Sequence, residues 1–189
     1  MKPSDKIRLP LDLPAGKSRF NPEVLPEGYL PRLSGAEAED HAKHYLMPGK
    51  VFASATPFAV TTILGSGVAV CIWDSHKKIG GANHFLWPFP VGDGAVDTKY
   101  AQVANADLLR QLLNLGANLN DMEAKIYGGS QPHGAAGISP ENLGRQNVEV
   151  ALGFLETKGI RVKASETGDA RGRKLIFQTH DGAAWVQQL

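Results

Sequence analysis

Two apolar runs around a tight turn decide the fold: Val60-Thr61-Thr62-Ile63-Leu64-Gly65-Ser66-Gly67-Val68-Ala69-Val70-Cys71-Ile72-Trp73-Asp74. Both runs are rich in β-branched residues, and the Gly-Ser-Gly between them predicts a tight turn joining two strands. The second run lacks polar alternation, which is typical of a strand buried on both faces. A third strand is predicted from Ile79 to Leu86, and it contains one histidine, His84.

Downstream of these strands, the periodicity predicts two long helices and several further strands. One apolar stripe at helical spacing runs from Tyr100 to Leu115, and another opens at Pro140-Glu141 and closes at Gly159. Alternating segments predict strands at 122–127 and 160–164, and Asp181-Gly182 predicts a final hairpin. Because hairpins outnumber βαβ crossovers, the expected fold class is α/β, a layered sandwich of mixed, largely antiparallel sheets with two long helices.

Upstream of residue 34 the chain is rich in proline. Six of the twelve prolines precede residue 32, and each fixes φ and removes a backbone donor. We therefore expect residues 1–33 to form an extended arm and residues 34–189 to form the folded domain. Ser34-Gly35-Ala36-Glu37 has the spacing of a capping box and predicts a short helix to about Tyr45.

Composition limits the class of protein. The 189 residues are 42% hydrophobic and have a formal net charge of +1, which fits one ordinary domain and does not favour nucleic acid or an anionic membrane as a partner. The single cysteine, Cys71, excludes an internal disulfide and suits a reducing compartment. No apolar run is long enough to span a bilayer, and the first residues do not resemble a secretory signal. We expect a cytoplasmic protein without membrane insertion.

The turn and the histidine are the first candidates for a functional site. A tight turn can expose a nucleophile and direct backbone N–H groups toward an oxyanion, with His84 as the base. Ser66 could be that nucleophile, although serine in a turn usually bonds the local backbone. Cys71, inside an apolar run, is typical of a core residue. His84 considered alone is compatible with simple core packing.

Other polar groups give weaker signals. His41 and His44 are spaced as two metal ligands on a helix could be, but no acidic or cysteine cluster completes a site. No phosphate-binding glycine motif is present, and we expect no cofactor or metal. A basic cluster near the end favours a solvated face over a site for an anionic partner; its members are Arg161, Lys163, Arg171, Arg173 and Lys174.

Seven stretches together resemble the CheD family, the chemoreceptor glutamine deamidases of bacterial chemotaxis. They occur in the family's order over residues 44–189, and the proline-rich arm lies outside them. The stretches are His44-Tyr45-Leu46 with Pro48-Gly49, Thr61 to Asp74, Gly80 to Pro88, Ala124 to Gly129, Gly144 to Val148, Glu166 to Gly168, and Gly172-Arg173-Lys174.

The resemblance implies a catalytic site and shows where this chain departs from it. The family pattern at the turn is Leu-Gly-Ser-Cys-Val-Ala-Val-Cys, in which the first cysteine attacks a glutamine side-chain amide. By this alignment His84 is the catalytic histidine, Thr61 is its threonine partner, and Gly65 and Ser66 form the turn and oxyanion frame. The nucleophile position is occupied by Gly67, which has no side chain to replace a thiol.

The resemblance also implies partners. Chemoreceptor cytoplasmic helices are the expected protein substrate or ligand. Many relatives have a Met-Phe pair where this chain has Pro132-His133, in a loop expected to dock a CheC-type phosphatase, so that partnership is expected to be altered.

Three hypotheses follow from this departure. The first is a deamidase homologue that has lost activity and acts by binding receptor helices or a chemotaxis partner. The second is an active hydrolase that uses Ser66 or a water activated by His84. The third is that Gly67 is an engineered or erroneous replacement of cysteine in an ordinary deamidase. The change at Pro132-His133 favours the first.

Overall fold

The computed structural model describes residues 41–90, 97–131 and 143–189. Within these ranges the chain forms nine strands and two α-helices. The strands are β1 (Ala42–Tyr45), β2 (Lys50–Ser54), β3 (Phe58–Leu64), β4 (Val68–Asp74), β5 (Ile79–His84), β6 (Met122–Gly128), β7 (Arg161–Thr167), β8 (Arg173–Gln178) and β9 (Ala184–Gln188), and the helices are α1 (Ala101–Asn114) and α2 (Leu143–Thr157).

The strands form two sheets. One has the order β1-β3-β8-β9, and the other has the order β2-β5-β4-β6-β7. Five of the seven strand pairings in the described chain are antiparallel, and β1–β3 and β6–β7 are parallel. The predicted α/β fold with mixed, largely antiparallel sheets and two long helices is therefore confirmed.

Strand β4 separates two hydrophobic layers. Val68, Val70 and Ile72 belong to the core that includes α1 and α2, whereas Ala69 and Cys71 belong to the core between the two sheets. The layers therefore run from the four-stranded sheet through the five-stranded sheet to the helices. This arrangement confirms the prediction that the β4 run is buried on both faces and explains why it lacks polar alternation.

The predicted short helix before the first strands is wrong where the structure describes it. Ala42–Tyr45 is strand β1, which pairs in parallel with β3 through the register Ala42↔Phe58 to Tyr45↔Thr61. A capping-box pattern reports only local preference, whereas pairing with a neighbouring strand is decided by tertiary contacts. Residues 34–40 and the predicted arm at 1–33 lie outside the described ranges.

Arg161, Lys163 and Arg171 of the basic cluster are exposed, as predicted for a solvated face, whereas Arg173 is not. The side chain of Arg173 is only 1% exposed and lies in the core. Arg161 and Lys163 both pair with Glu123 on the neighbouring strand β6, at 2.9 and 3.0 Å. Among the residues described, no helix has the length and apolar character needed to cross a membrane.

Candidate active site

The candidate site lies at one end of the layer between the two sheets. His84 is the last residue of β5, and its Nδ1 lies 2.9 Å from the hydroxyl oxygen of Thr62 on β3. The two residues belong to different sheets. Both are buried, with 2% of His84 and 1% of Thr62 exposed. The contact therefore depends on how the two sheets pack.

The structure places Thr62, and not the expected Thr61, against His84. Successive side chains of a strand point to opposite faces, and in β3 Val60, Thr62 and Leu64 are buried while Thr61 and Ile63 are more exposed. Thr61 therefore lies on the outer face of its sheet. The alternation of Val60 and Leu64 around Thr62 was the signal available in the sequence.

Hydrogen bonding fixes the proton on the His84 ring. The Thr62 hydroxyl donates its single proton to the carbonyl oxygen of Leu46, at 2.8 Å, so toward His84 it can only accept. Nδ1 therefore carries the ring proton, and Nε2 is left with a free lone pair. Burial lowers the pKa of His84 from 6.5 to about 4, so the ring is neutral near pH 7.

That free lone pair faces residue 67. A Cβ atom added at Gly67 would lie 3.0 Å from His84 Nε2 and 2.8 Å from the carbonyl oxygen of Phe85. Gly67 is not among the glycines with positive φ, so its backbone suits an L-residue. A side chain there would contact the histidine, and its Cβ would have to displace the Phe85 carbonyl, a backbone group that accepts a hydrogen bond from the Val68 N–H.

The turn at residues 65–67 is anchored to the rest of the domain by hydrogen bonds to its carbonyl groups. The oxygens of Gly65, Ser66 and Gly67 accept hydrogen bonds from the Ser130 N–H at 2.9 Å, the Asn147 side-chain amide at 2.9 Å and the Gly129 N–H at 2.8 Å. Within the described ranges, the N–H groups of these turn residues donate to no partner. Of the three turn residues, Gly67 is the one whose position beside His84 the structure defines.

Two glycines near the turn, Gly128 and Gly144, were not predicted from the sequence to have a role in the site. Gly128 and Gly144 allow backbones to approach closely, because an added Cβ would lie 2.3 Å from the Gly67 oxygen and 2.2 Å from the Gly129 oxygen, respectively. Their only signal was that they fell within the family-like stretches. The structure shows why glycine is needed there: the end of β6 packs against the turn at Gly67, and the start of α2 packs against Gly129 and Ser130, which bond the turn.

The remaining candidates do not complete a nucleophile–base pair in the described chain. Ser66 makes no hydrogen bond to His84. Cys71 lies in the core between the sheets, where burial strongly raises its thiol pKa. His41 lies against His180, with ring centroids 4.3 Å apart, whereas His44 stacks on Phe52 at 4.0 Å. The two histidines therefore have different partners.

The expectation about the CheC-type phosphatase concerns Pro132 and His133. Both lie outside the described ranges, so it stays a prediction.

Fold and site together define a class of layered α/β sandwich proteins in which a threonine-oriented histidine faces a tight turn. A family model described as CheD chemotactic sensory transduction matches residues 90–188. A protein of Anaeromyxobacter dehalogenans named probable chemoreceptor glutamine deamidase CheD 1 is 42% identical over 78% of this chain and 85% of its own length. The chain belongs to the CheD family.

Other comparisons differ in strength. A probable chemoreceptor glutamine deamidase CheD of Sulfurimonas denitrificans is 33% identical over 79% of this chain and 96% of its own length. A crystal structure of a Neisseria meningitidis protein from family DUF152 aligns with a TM-score of 0.40 at 10% identity, covering 69% of this chain and 65% of that one. The structural similarity is too low to support any conclusion.

Proposed function

We propose that this chain is a cytoplasmic chemotaxis protein that binds glutamine-bearing chemoreceptor helices on a deamidase scaffold without deamidating them. Residues 34–189 form the binding domain, and residues 1–33 form an arm attached to it. The support comes from relatives named as chemoreceptor glutamine deamidases and from the geometry around Gly67.

One observation carries the proposal: the free Nε2 of His84 faces a residue that has no side chain. In thiol amidohydrolysis the histidine takes the thiol proton and the thiolate attacks the amide carbon. Backbone N–H groups of the turn are the proposed donors to the oxyanion. On this proposal His84 is the retained base, and the attacking atom is missing at Gly67. Removing the nucleophile from a comparable triad lowers turnover by about a millionfold.

The decisive experiment is a deamidation assay on a chemoreceptor cytoplasmic fragment. The conversion of glutamine to glutamate is followed by mass spectrometry and by ammonia release, for the unmodified chain and for Gly67→Cys. We expect no turnover by the unmodified chain and measurable turnover by Gly67→Cys, because the added thiol would lie beside Nε2 of His84. We also expect the receptor fragment to capture both proteins.

Two variants serve as controls. Gly67→Ala adds the same Cβ against the Phe85 carbonyl but no thiol, so we expect it to stay inactive. It separates the effect of the added Cβ on receptor binding and stability from the effect of the thiol. His84→Ala in the Gly67→Cys background should abolish the restored turnover. Turnover by the unmodified chain that disappears in His84→Ala would contradict the proposal and favour a water activated by His84. Failure of the receptor fragment to capture the unmodified chain would contradict the binding role.

A further inference from the structure

We infer that Asn147 is a positioning residue that sets the approach of residue 67 to His84. Asn147 lies on α2 and is fully buried. Its side-chain amide nitrogen donates to the carbonyl oxygen of Ser66 at 2.9 Å and to that of Leu86 at 3.0 Å. One NH₂ group therefore links the turn that carries Gly67 to the segment that follows His84.

The two bonds join neighbouring points of the paired chains, both on the turn side of the antiparallel pair Val68 and Phe85. Ser66 directly precedes Gly67, and Leu86 is two residues beyond His84. Val68 directly follows Gly67, Phe85 directly follows His84, and the two exchange a pair of backbone hydrogen bonds, each 3.0 Å long. The Asn147 amide adds a second link between the same two chains, nearer the turn. Without Asn147, the Ser66 carbonyl would have no donor in the described chain, and the turn could rotate away from the histidine.

The unpaired oxygen of Asn147 indicates that the NH₂ group, and not the oxygen, accounts for an asparagine at this position. Its Oδ1 is buried and has no hydrogen-bond partner among the described residues. Burying an unpaired acceptor lowers stability, so simple packing at this position would favour an apolar side chain. The presence of an amide at this position is explained by its hydrogen bonds to two carbonyl groups of the candidate site, those of Ser66 and Leu86.

This inference rests on the proposed function only in treating residue 67 as the nucleophile position of the family. It can be tested without turnover, because the environment of an introduced thiol is measurable directly. The ultraviolet absorbance of the thiolate is titrated against pH in Gly67→Cys, with Gly67→Ala as the blank. Cys71 is present in both proteins and cancels in the difference.

We expect the thiol of Gly67→Cys to titrate below the ordinary cysteine pKa of about 8.5, because a thiolate at position 67 and a protonated His84 would stabilise each other as an ion pair, which also raises the pKa of His84 above its value beside glycine. Asn147→Ala in that background should raise this pKa by about one unit, which corresponds to about tenfold less thiolate at a pH well below both pKa values. Asn147→Asp, which has the same shape but no donors, should shift the titration in the same direction.

Asn105→Ala is the matched control. Asn105 is also a fully buried helical asparagine, and it accepts a hydrogen bond from Asn83 at 2.7 Å on the helix side of β5. This variant should lower the melting temperature without moving the thiol titration. Equal titrations for the Asn147 and Asn105 variants would overturn the inference. So would failure of both Asn147 variants to fold while Asn105→Ala folds, because Asn147 would then serve the fold and not the site.

A normal thiol pKa in Gly67→Cys itself would also overturn the inference, since there would be no positioning for Asn147 to supply. That result is distinct from failure of the proposed function. The proposed function fails if receptor helices do not bind, or if an activated thiol does not deamidate them.

Discussion

At the scale of single residues, the candidate site places an oriented histidine, His84, against a residue without a side chain, Gly67. The protonated Nδ1 of His84 is bonded to Thr62, and its Nε2 is free to accept a proton. Glycine at position 67 leaves that lone pair without a thiol to activate. Under the proposed function, this one departure from the family pattern removes the attacking atom and leaves the surrounding hydrogen bonds in place.

The buried neutral histidine predicts how stability depends on pH. The pKa of His84 is about 4 in the folded protein and 6.5 when exposed, as a result of burial. As the pH falls from about 6.5 toward 4, the unfolded chain takes up a proton that the folded chain does not bind. The free energy of unfolding should therefore fall by about 3 kcal/mol across this window. Urea unfolding at a series of pH values measures the loss.

His84→Gln is the control for this pH dependence, because glutamine does not titrate. Asp74 and Glu123 also have lowered pKa values in the folded state and lose stability in acid, but they are present in both proteins. The difference between the two profiles isolates His84. Parallel profiles would show that burial does not depress its pKa.

At the scale of elements, the period of a strand decides which threonine serves the site. Thr61 and Thr62 are adjacent in sequence and chemically identical, yet alternation along β3 directs only Thr62 into the layer between the sheets. The register of β3 against β8, with Thr62 opposite Leu175, holds this orientation. A shift by one residue would exchange the two threonines.

Thr62→Val and Thr61→Val form a matched pair that tests this orientation. Thr62→Val leaves both the Leu46 carbonyl and the Nδ1–H of His84 without partners, so we expect a loss of about 1–3 kcal/mol in the free energy of unfolding. Thr61→Val, on the more exposed face, should change it by less than about 0.5 kcal/mol. In the Gly67→Cys background only Thr62→Val should lower deamidase turnover. If Thr61→Val had the larger effects on stability and turnover, Thr61 and not Thr62 would be the residue that orients His84.

At the scale of the whole molecule, Arg173 joins the two sheets near the turn. It begins β8 in the four-stranded sheet, and its guanidinium donates to the carbonyl oxygens of Gly128 at 2.8 Å, Glu166 at 2.7 Å and Gly168 at 2.8 Å. Gly128 and Glu166 belong to the five-stranded sheet. Because Gly129 in turn bonds the Gly67 carbonyl, Arg173 supports the site from the opposite sheet.

Arg173→Met should lower the free energy of unfolding by about 3 kcal/mol or more, because buried carbonyl groups lose charge-assisted bonds. Lys174→Met on the same strand removes a positive charge from a half-buried side chain and should cost less than about 0.5 kcal/mol. Denaturant unfolding of both variants gives the comparison. Similar values for the two would contradict a bridging role for Arg173.

Much of the fold could be predicted from local patterns. The helical stripe before Gly116, the apolar β4 run and the Asp181-Gly182 turn each specify an element through side-chain periodicity or turn chemistry, and the structure has these elements. Strand β1 could not be predicted in this way, because a short edge strand depends on its neighbour for hydrogen bonds. The sequence favoured a helix there.

Residue identity and order along the chain are enough to predict the family-like turn, the histidine on β5 and a glycine at position 67, where the family pattern has cysteine. Tertiary packing, in contrast, places Thr62 against His84, brings the Asn147 amide to the Ser66 and Leu86 carbonyls and buries Arg173. Each of these contacts joins groups that are far apart in sequence, and their meeting depends on sheet register and packing, which no local pattern encodes.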